Sequence, residues 1–332
     1  MKMIRCSPTP LTPTLSPRAG RGRPDWNPFS RFDGQRVRVR GLFAGLLALV
    51  IWLAPALHAA DPATLVVAFQ PQENPEKLQL DAATLTEFLA RELGQPVKIY
   101  IPTDYAAVVE ALRAGHAHVA YFSAWPYLLA HKLAGVEIIA AEERRGATSY
   151  TSQWYARKDS GIRSLADAAG KSAAFTSPSS TSGYLFPLAK LMDDGLLPAR
   201  GDPARFFKQV VFAGGYEQAL KALARGQVDV AAASDYAFGQ YLTAEEQAGI
   251  VVIARQGPVP THCLAAKADL SPDLRARIAA AILKLNEPDH KALLKSVYGA
   301  EKLVPVTHDA HVGALAHALE VTGLDYPLRK KK

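Results

Sequence analysis

From Leu65 onward the chain alternates short apolar runs with amphipathic segments, and this alternation constrains the fold more than any other feature. Residues 65–69, 97–101, 118–122 and 136–140 are rich in β-branched or aromatic side chains and carry turn signals nearby, which marks them as strands. Between the first two, Leu85, Phe88, Leu89 and Leu93 recur at helical spacing, and Gly94 closes the helix. Residues 105–113 read as a second helix, stopped by Gly115. Strand–helix alternation of this kind predicts a mostly parallel sheet with helices on its faces.

A second series follows. Residues 149–157 form a long strand-like run ended by Lys158-Asp159-Ser160-Gly161. Strands are then expected at 172–175, 209–212 and 228–233, with helices at 181–194 and 216–225. Further apolar runs cover 250–255 and 263–266, and the tail is helical over 272–285, 288–297 and 309–322. Two such series, joined by strand-like crossings near 150–157 and 250–262, predict an α/β protein of two lobes with a hinge. The expected boundaries are 61–153 for the first lobe, 154–252 for the second, and 253–332 for the return to the first. Ligands of open α/β sheets bind at the carboxyl ends of the strands, so the cleft between lobes is the expected site.

The net charge of +7 misleads about partners. Of 38 Lys/Arg and 31 Asp/Glu, nine and two lie within residues 1–60, which leaves 29 of each from Asp61 onward. A formally neutral mature chain gives no support for nucleic-acid binding. Gly41 to Ala54 reads GLFAGLLALVIWLA, preceded by Arg36, Arg38 and Arg40 and followed by His58-Ala59-Ala60. A basic, then apolar, then small-residue pattern is a secretory signal over 36–60, with a retained anchor as the alternative. Residues 1–35 are Pro-, Arg- and Ser-rich without apolar period and are read as a leader outside the fold. Of the two cysteines, Cys6 lies in that leader and Cys263 reads as a small core residue.

Chemistry concentrates in Phe175-Thr176-Ser177-Pro178-Ser179-Ser180-Thr181-Ser182-Gly183-Tyr184. A strand leads in, a helix leads out, and four hydroxyl residues sit at the helix start. Unpaired N–H groups, positive partial charge, hydroxyl donors and a glycine suit a tetrahedral oxyanion. Ser and Thr also favour N-caps, so an ordinary capped helix accounts equally well for the composition.

The run Ser180-Thr181-Ser182-Gly183-Tyr184-Leu185-Phe186-Pro187 resembles the S-T-S-G-[YF]-L-x-P signature of the phosphate/phosphite/phosphonate ABC-transporter substrate-binding family. Other similarities fall in the same order. Glu73-Asn74-Pro75-Glu76, Thr103-Asp104-Tyr105 with its helix, Val119-Ala120-Tyr121-Phe122, Arg157-Lys158-Asp159-Ser160-Gly161-Ile162 and Gly226-Gln227-Val228-Asp229-Val230-Ala231 all match family elements. The resemblance runs from about Leu65 to at least Ala266. It implies a type II periplasmic-binding-protein fold. It further implies a periplasmic receptor that captures a phosphonate, phosphite or phosphate between lobes for a membrane ABC permease. It implies an oxyanion held by Ser180, Thr181 and Ser182, with Tyr105 and Phe122 as further site residues.

The chain also departs from the family. Tyr216 takes the place of a family histidine. Asp235 or Tyr236 occupies the region of an acidic residue found in aminoethylphosphonate-binding members, and His262 replaces a second acid. Losing that acid weakens the case for a ligand with a cationic amine. His262 is either an oxyanion donor or a satisfied structural histidine. Asp235 is a candidate acceptor for a protonated phosphorus oxygen. Tyr121, Trp125 and Tyr127 cluster with Phe122, and about half of such a cluster is expected to be plain packing. Asp193-Asp194 reads as a solvated face. His116, His118 and His131 lack metal-ligand spacing, so neither metal nor cofactor is expected. A monomeric, non-catalytic receptor is the leading reading. A sensor receptor for a membrane signalling protein is the runner-up. An enzyme on the same fold is the third, against which stand the missing G-x-S-x-G elbow and the absence of a base beside 179–182.

Overall fold

The computed structural model describes residues 61–71 and 75–324. The leader, the signal segment, Cys6, Glu73-Asn74 and the basic C-terminal run lie outside the described residues. Among those described, no helix is long and apolar enough to cross a membrane.

The first series comprises β1 (Leu65–Phe69), α1 (Pro75–Leu93), β2 (Val97–Tyr100), α2 (Tyr105–Arg113), β3 (Val119–Phe122), α3 (Ala124–Ala134) and β4 (Val136–Glu143). The second comprises β5 (Ser149–Arg157), β6 (Ser172–Phe175), a π-helical turn (Thr181–Leu185) running into α4 (Phe186–Asp193), β7 (Gln209–Phe212), α5 (Tyr216–Ala224), β8 (Val230–Ser234), α6 (Asp235–Tyr241), α7 (Ala244–Ala248) and β9 (Ile250–Pro260). The return comprises β10 (Cys263–Lys267), α8 (Pro272–Lys284), α9 (Lys291–Tyr298), β11 (Lys302–Val304), α10 (His308–Val312) and α11 (Leu315–Thr322).

The two sheets share a topology. The first runs β11-β4-β10-β3-β1-β2 and the second β7-β6-β8-β5-β9. In each, a central strand (β1 or β6) lies parallel to the two strands that follow it in its series. In each, the strand arriving from the other sheet (β10 or β5) runs antiparallel to both neighbours. The sheets are therefore mixed rather than mostly parallel. A chain that enters a sheet directly from the other one, with no crossover helix, arrives in the reverse direction.

β5 and β9 lie wholly within the second sheet and pair with each other from Ser149 opposite Pro260. The chain thus passes between sheets over 144–148 and 261–262, shorter spans than the strand-like runs suggested. These two passages are tied side by side. Thr261 N donates to Thr148 O at 3.0 Å, and the Thr261 hydroxyl donates to Glu142 O at 2.7 Å.

Alternation along β3 shows how one strand serves two cores. Val119 and Tyr121 join a cluster with Leu85, Phe88 and Leu89 of α1 and Ile278 of α8. Ala120 and Phe122 join the other, with Val108 and Leu112 of α2 and Tyr127 of α3. α2 begins where Asp104 accepts from Ala107 N at 2.9 Å, an N-cap that satisfies one orphan donor.

The expected helix over 181–194 starts as a π turn rather than a regular helix, and single π turns inside helices are frequent at functional sites. The tail helix expected over 309–322 is broken after Val312. α3 was not legible as a helix, because its sequence is apolar nearly all round and has no 3.6-residue stripe.

Candidate functional site

Ser180, Thr181 and Ser182 are buried, and each has a distinct bond. Ser180 is the N-cap and accepts from Gly183 N at 3.1 Å. Gly183 is required sterically, because a Cβ there would lie 1.9 Å from Thr176 Oγ1. Thr181 Oγ1 accepts from Trp125 N at 3.0 Å, a bond from the second sheet's site loop to the first turn of α3 beside the first sheet. Ser182 Oγ accepts from the Tyr150 hydroxyl at 3.0 Å and lies 2.7 Å from the Tyr216 hydroxyl. Ser182 O accepts from Ser152 Oγ at 2.6 Å.

The first sheet faces this element with polar groups of its own. Gln70 follows β1, and its Oε1 accepts from Ser123 N and Ser123 Oγ, each at 3.1 Å. Ser123 is the N-cap of α3 but makes no side-chain cap bond. Two helix starts, at Ser123–Trp125 and Ser180–Gly183, therefore meet where Thr181 and Trp125 bond. The positive ends of these two helix starts suit an anion. Gln70 Nε2 and the Tyr105 hydroxyl are buried without a hydrogen-bond partner among the described residues. Burial pushes the Tyr105 phenol well above its usual range, against the opposing pull of Gln70 and Ser180 nearby. Burial likewise raises Tyr150, Tyr216 and Tyr236. All four tyrosines are neutral hydrogen-bond donors at physiological pH.

His262 is buried, with Nδ1 3.3 Å from the Tyr236 hydroxyl and 3.6 Å from Glu142 Oε2. Glu142, also buried, takes two bonds from Arg144, Nε to Oε2 at 2.9 Å and Nη2 to Oε1 at 3.1 Å, and one from the Tyr121 hydroxyl. Burial pushes the Glu142 carboxyl up, but Arg144 and His262 more than offset this and hold it at about 2. Arg144 also donates to the Tyr298 and Gly299 carbonyls at the end of α9, and its guanidinium lies 4.2 Å over the Tyr236 ring.

Of the nine residues singled out from sequence, Ser180, Thr181, Ser182, Tyr105, Tyr216, Tyr236 and His262 fall into this one group, in which Tyr236 is half-buried and the others are buried. Asp235 lies at its margin as the first residue of α6, with Oδ2 3.8 Å from the exposed Arg145 and Oδ1 buried without a partner. Phe122 points to the face of β3 opposite Tyr121, and its ring packs against Tyr127 at 6.0 Å. Gln70, Ser123, Glu142, Arg144, Tyr150 and Ser152 were not anticipated. For Tyr150 and Ser152 a signal existed: with Trp154 they occupy alternate positions of one strand, so they share a face. Glu142 and Arg144 extend an apolar strand without any pattern of their own.

Known proteins are similar to this chain along most of its length. The family model described as "ABC transporter, phosphonate, periplasmic substrate-binding protein" matches residues 67–311. The phosphate-import protein PhnD of Mycolicibacterium smegmatis is 32% identical over 217 residues, 60% of this chain and 67% of that protein. A binding-protein component of an ABC phosphonate transporter from Pseudomonas aeruginosa superposes with a TM-score of 0.70 at 23% identity, covering 78% of this chain and 86% of the other. PhnD1 of Prochlorococcus marinus, solved in complex with methylphosphonate, gives a TM-score of 0.69 at 18% identity over 78% of this chain and 98% of the other. The chain belongs to the phosphonate family of periplasmic substrate-binding proteins of ABC transporters.

Proposed function

We propose that the protein is a monomeric periplasmic receptor that captures one small phosphorus oxyanion between its two sheets and hands it to an ABC permease. The observation that carries this reading is the bond from Trp125 N to Thr181 Oγ1. It brings two helix starts to one buried place beside the unpaired donors Gln70 Nε2 and Tyr105 hydroxyl. Ser180, Thr181, Ser182, Tyr105 and Gln70 bind the oxygens. Tyr216, Tyr236 and His262 line the side on which a substituent would lie. Phe122 packs in the core on the other face of β3, and Asp235 lies at the margin of this wall.

Three features favour an unsubstituted or alkyl-substituted anion over an amine-bearing one. Glu142 is already paired with Arg144, Asp235 faces Arg145, and the remaining wall is tyrosine and histidine. A buried ammonium would have to rely on Asp235 at the margin, whose Oδ2 already lies 3.8 Å from Arg145. The relatives point the same way, one being named for phosphate import and one solved with methylphosphonate.

Binding without catalysis fits the surroundings of the serines. The hydroxyl neighbours of Ser182 are tyrosines, and no hydrogen bond among the described residues joins His262 to Ser179–Ser182. The test is calorimetric titration with phosphate, phosphite, methylphosphonate, aminoethylphosphonate and sulfate. Binding of at least one of the first three in preference to aminoethylphosphonate is expected. Binding of none of the phosphorus compounds would overturn the reading.

A further inference from the structure

The two ring nitrogens of His262 have different surroundings. Nδ1 faces Glu142 Oε2 at 3.6 Å and the Tyr236 hydroxyl at 3.3 Å. Nε2 is buried and has no hydrogen-bond partner among the described residues. Tyr150 lies beside the imidazole with its ring parallel at 6.4 Å, while its hydroxyl reaches Ser182 Oγ. Tyr236 contacts Nδ1 and stands 6.1 Å, ring to ring, from Tyr216, which also reaches Ser182. The imidazole is thus one tyrosine away from the oxyanion element.

The charges around it decide where its proton sits. Glu142 is a carboxylate, balanced by Arg144 through two hydrogen bonds and by the Tyr121 hydroxyl. A lone pair on Nδ1 facing a carboxylate oxygen would be repelled, so the proton of the neutral ring lies on Nδ1. The other titratable groups around the ring are Tyr150 on β5, Tyr236 on α6 and His311 on α10. Burial keeps both tyrosines protonated and His311 neutral.

We infer that Glu142 is a positioning residue that holds His262 as the Nδ1–H imidazole, so that the Nε2 lone pair accepts a hydrogen bond from a P–OH group of the ligand. This rests on the oxyanion reading above and adds a selection rule to it. A phosphate, phosphite or phosphonate that carries a proton satisfies Nε2. Sulfate, which has none at neutral pH, places an oxygen lone pair against a nitrogen lone pair. Such a mismatch leaves two buried acceptors unpaired.

Glu142→Gln tests this, because it changes the hydrogen-bond polarity at Nδ1 with little change of shape. Oε1 takes donors from Arg144 Nη2 and Tyr121, and Oε2 takes one, from Arg144 Nε, so the amide oxygen settles at Oε1 and the NH2 group faces Nδ1 with loss of the Nε bond. The imidazole proton then moves to Nε2, which becomes a donor. Wild-type protein and variant are titrated calorimetrically at pH 7 with phosphate, methylphosphonate and sulfate. The wild type is expected to favour its best phosphorus oxyanion over sulfate by roughly ten- to a hundredfold, given ~1.5–3 kcal/mol per charge-assisted bond. In Glu142→Gln that ratio is expected to fall to near unity, within about threefold.

An unchanged ratio in the folded variant overturns the inference. Equal weakening of all three anions also overturns it, since that is the result for an imidazolium acting through charge alone. If Glu142→Gln does not fold, His262→Gln decides, because its amide rotates to present either N–H or C=O. The ratio should collapse in that variant too, and retained selectivity overturns the inference. A wild type that binds none of the three anions overturns the oxyanion reading itself.

Discussion

Trp125 N donates to Thr181 Oγ1 at 3.0 Å across 56 positions of sequence, and this bond joins the two halves of the site. Its two residues come from different helix starts beside different sheets. Loss of the Thr181 hydroxyl therefore removes both a proposed ligand donor and a link between the halves. Thr181→Ala is expected to weaken oxyanion binding by roughly ten- to a hundredfold, at ~1.4 kcal/mol per decade. Far-ultraviolet circular dichroism should be unchanged, because the Ser180 cap remains. Calorimetry with the best anion reads the effect. Wild-type affinity in the folded variant would move the anion elsewhere.

Gly183 is fixed by packing. Its φ is not in the left-handed region, yet a Cβ would meet Thr176 Oγ1 at 1.9 Å and Thr176 Cβ at 2.4 Å. Gly183→Ala is expected to destabilise by on the order of 1–3 kcal/mol, the usual cost of overpacking. Thr176→Gly added to it should restore part of the loss. Thermal melting of the two variants measures both steps, and an unaltered melting temperature in Gly183→Ala would contradict the packing.

Acid should destabilise the protein in two windows. His311 is held neutral by burial, with its pKa down at about 4 from a usual value of 6.5. The unfolded chain binds this proton first, so stability falls as pH drops from about 6.5 to about 4. The carboxyl of Glu142 is held at about 2 against a usual value of 4.5. Its contribution is present above about 4.5 and is lost as pH falls towards 2. Each window spans on the order of 3 kcal/mol at ~1.36 kcal/mol per unit. Urea denaturation between pH 4 and 8 should show the first slope in the wild type and a flatter one in His311→Gln. Equal slopes would assign the acid loss to other groups.

Ligand-linked closure is expected about the paired passages 144–148 and 261–262. Every residue of the Ser180–Ser182 element is buried, so an anion reaches it only if the sheets part. Small-angle scattering should show a larger radius of gyration without ligand than with saturating anion. Identical envelopes for a protein that binds the anion would count against this motion.

Export is expected to remove residues before Ala60 or Asp61, from the basic, apolar and small-residue pattern of 36–60. N-terminal sequencing of periplasmic material reads the cleavage point. A mature protein retaining 42–53 would be an anchored one.

The alternation of strand and helix and the hydroxyl run at 179–182 were legible because both are local. Side-chain period and cap chemistry are set by residues a few positions apart. β1, α2, β5, β6 and β7 consequently occur where their patterns place them. The Tyr105, Tyr216 and Tyr236 positions came from motif order. The reversed strands β5 and β10 were not legible, because strand direction depends on which sheet the chain enters, not on its side-chain period. Nor were α3, whose burial on nearly all sides erases the amphipathic stripe, and the Glu142–Arg144–His262 group. Glu142 comes from the end of β4, and Arg144 and His262 from the two passages between sheets. A carboxylate, a guanidinium and an imidazole separated by up to 120 positions become one electrostatic unit only when β4 and the start of β10 lie side by side. Sequence determined the two strand–helix series of this protein and the hydroxyl run in one of them. Tertiary packing decided what faces that element, because desolvated charges and unpaired donors exist only once the sheets have met.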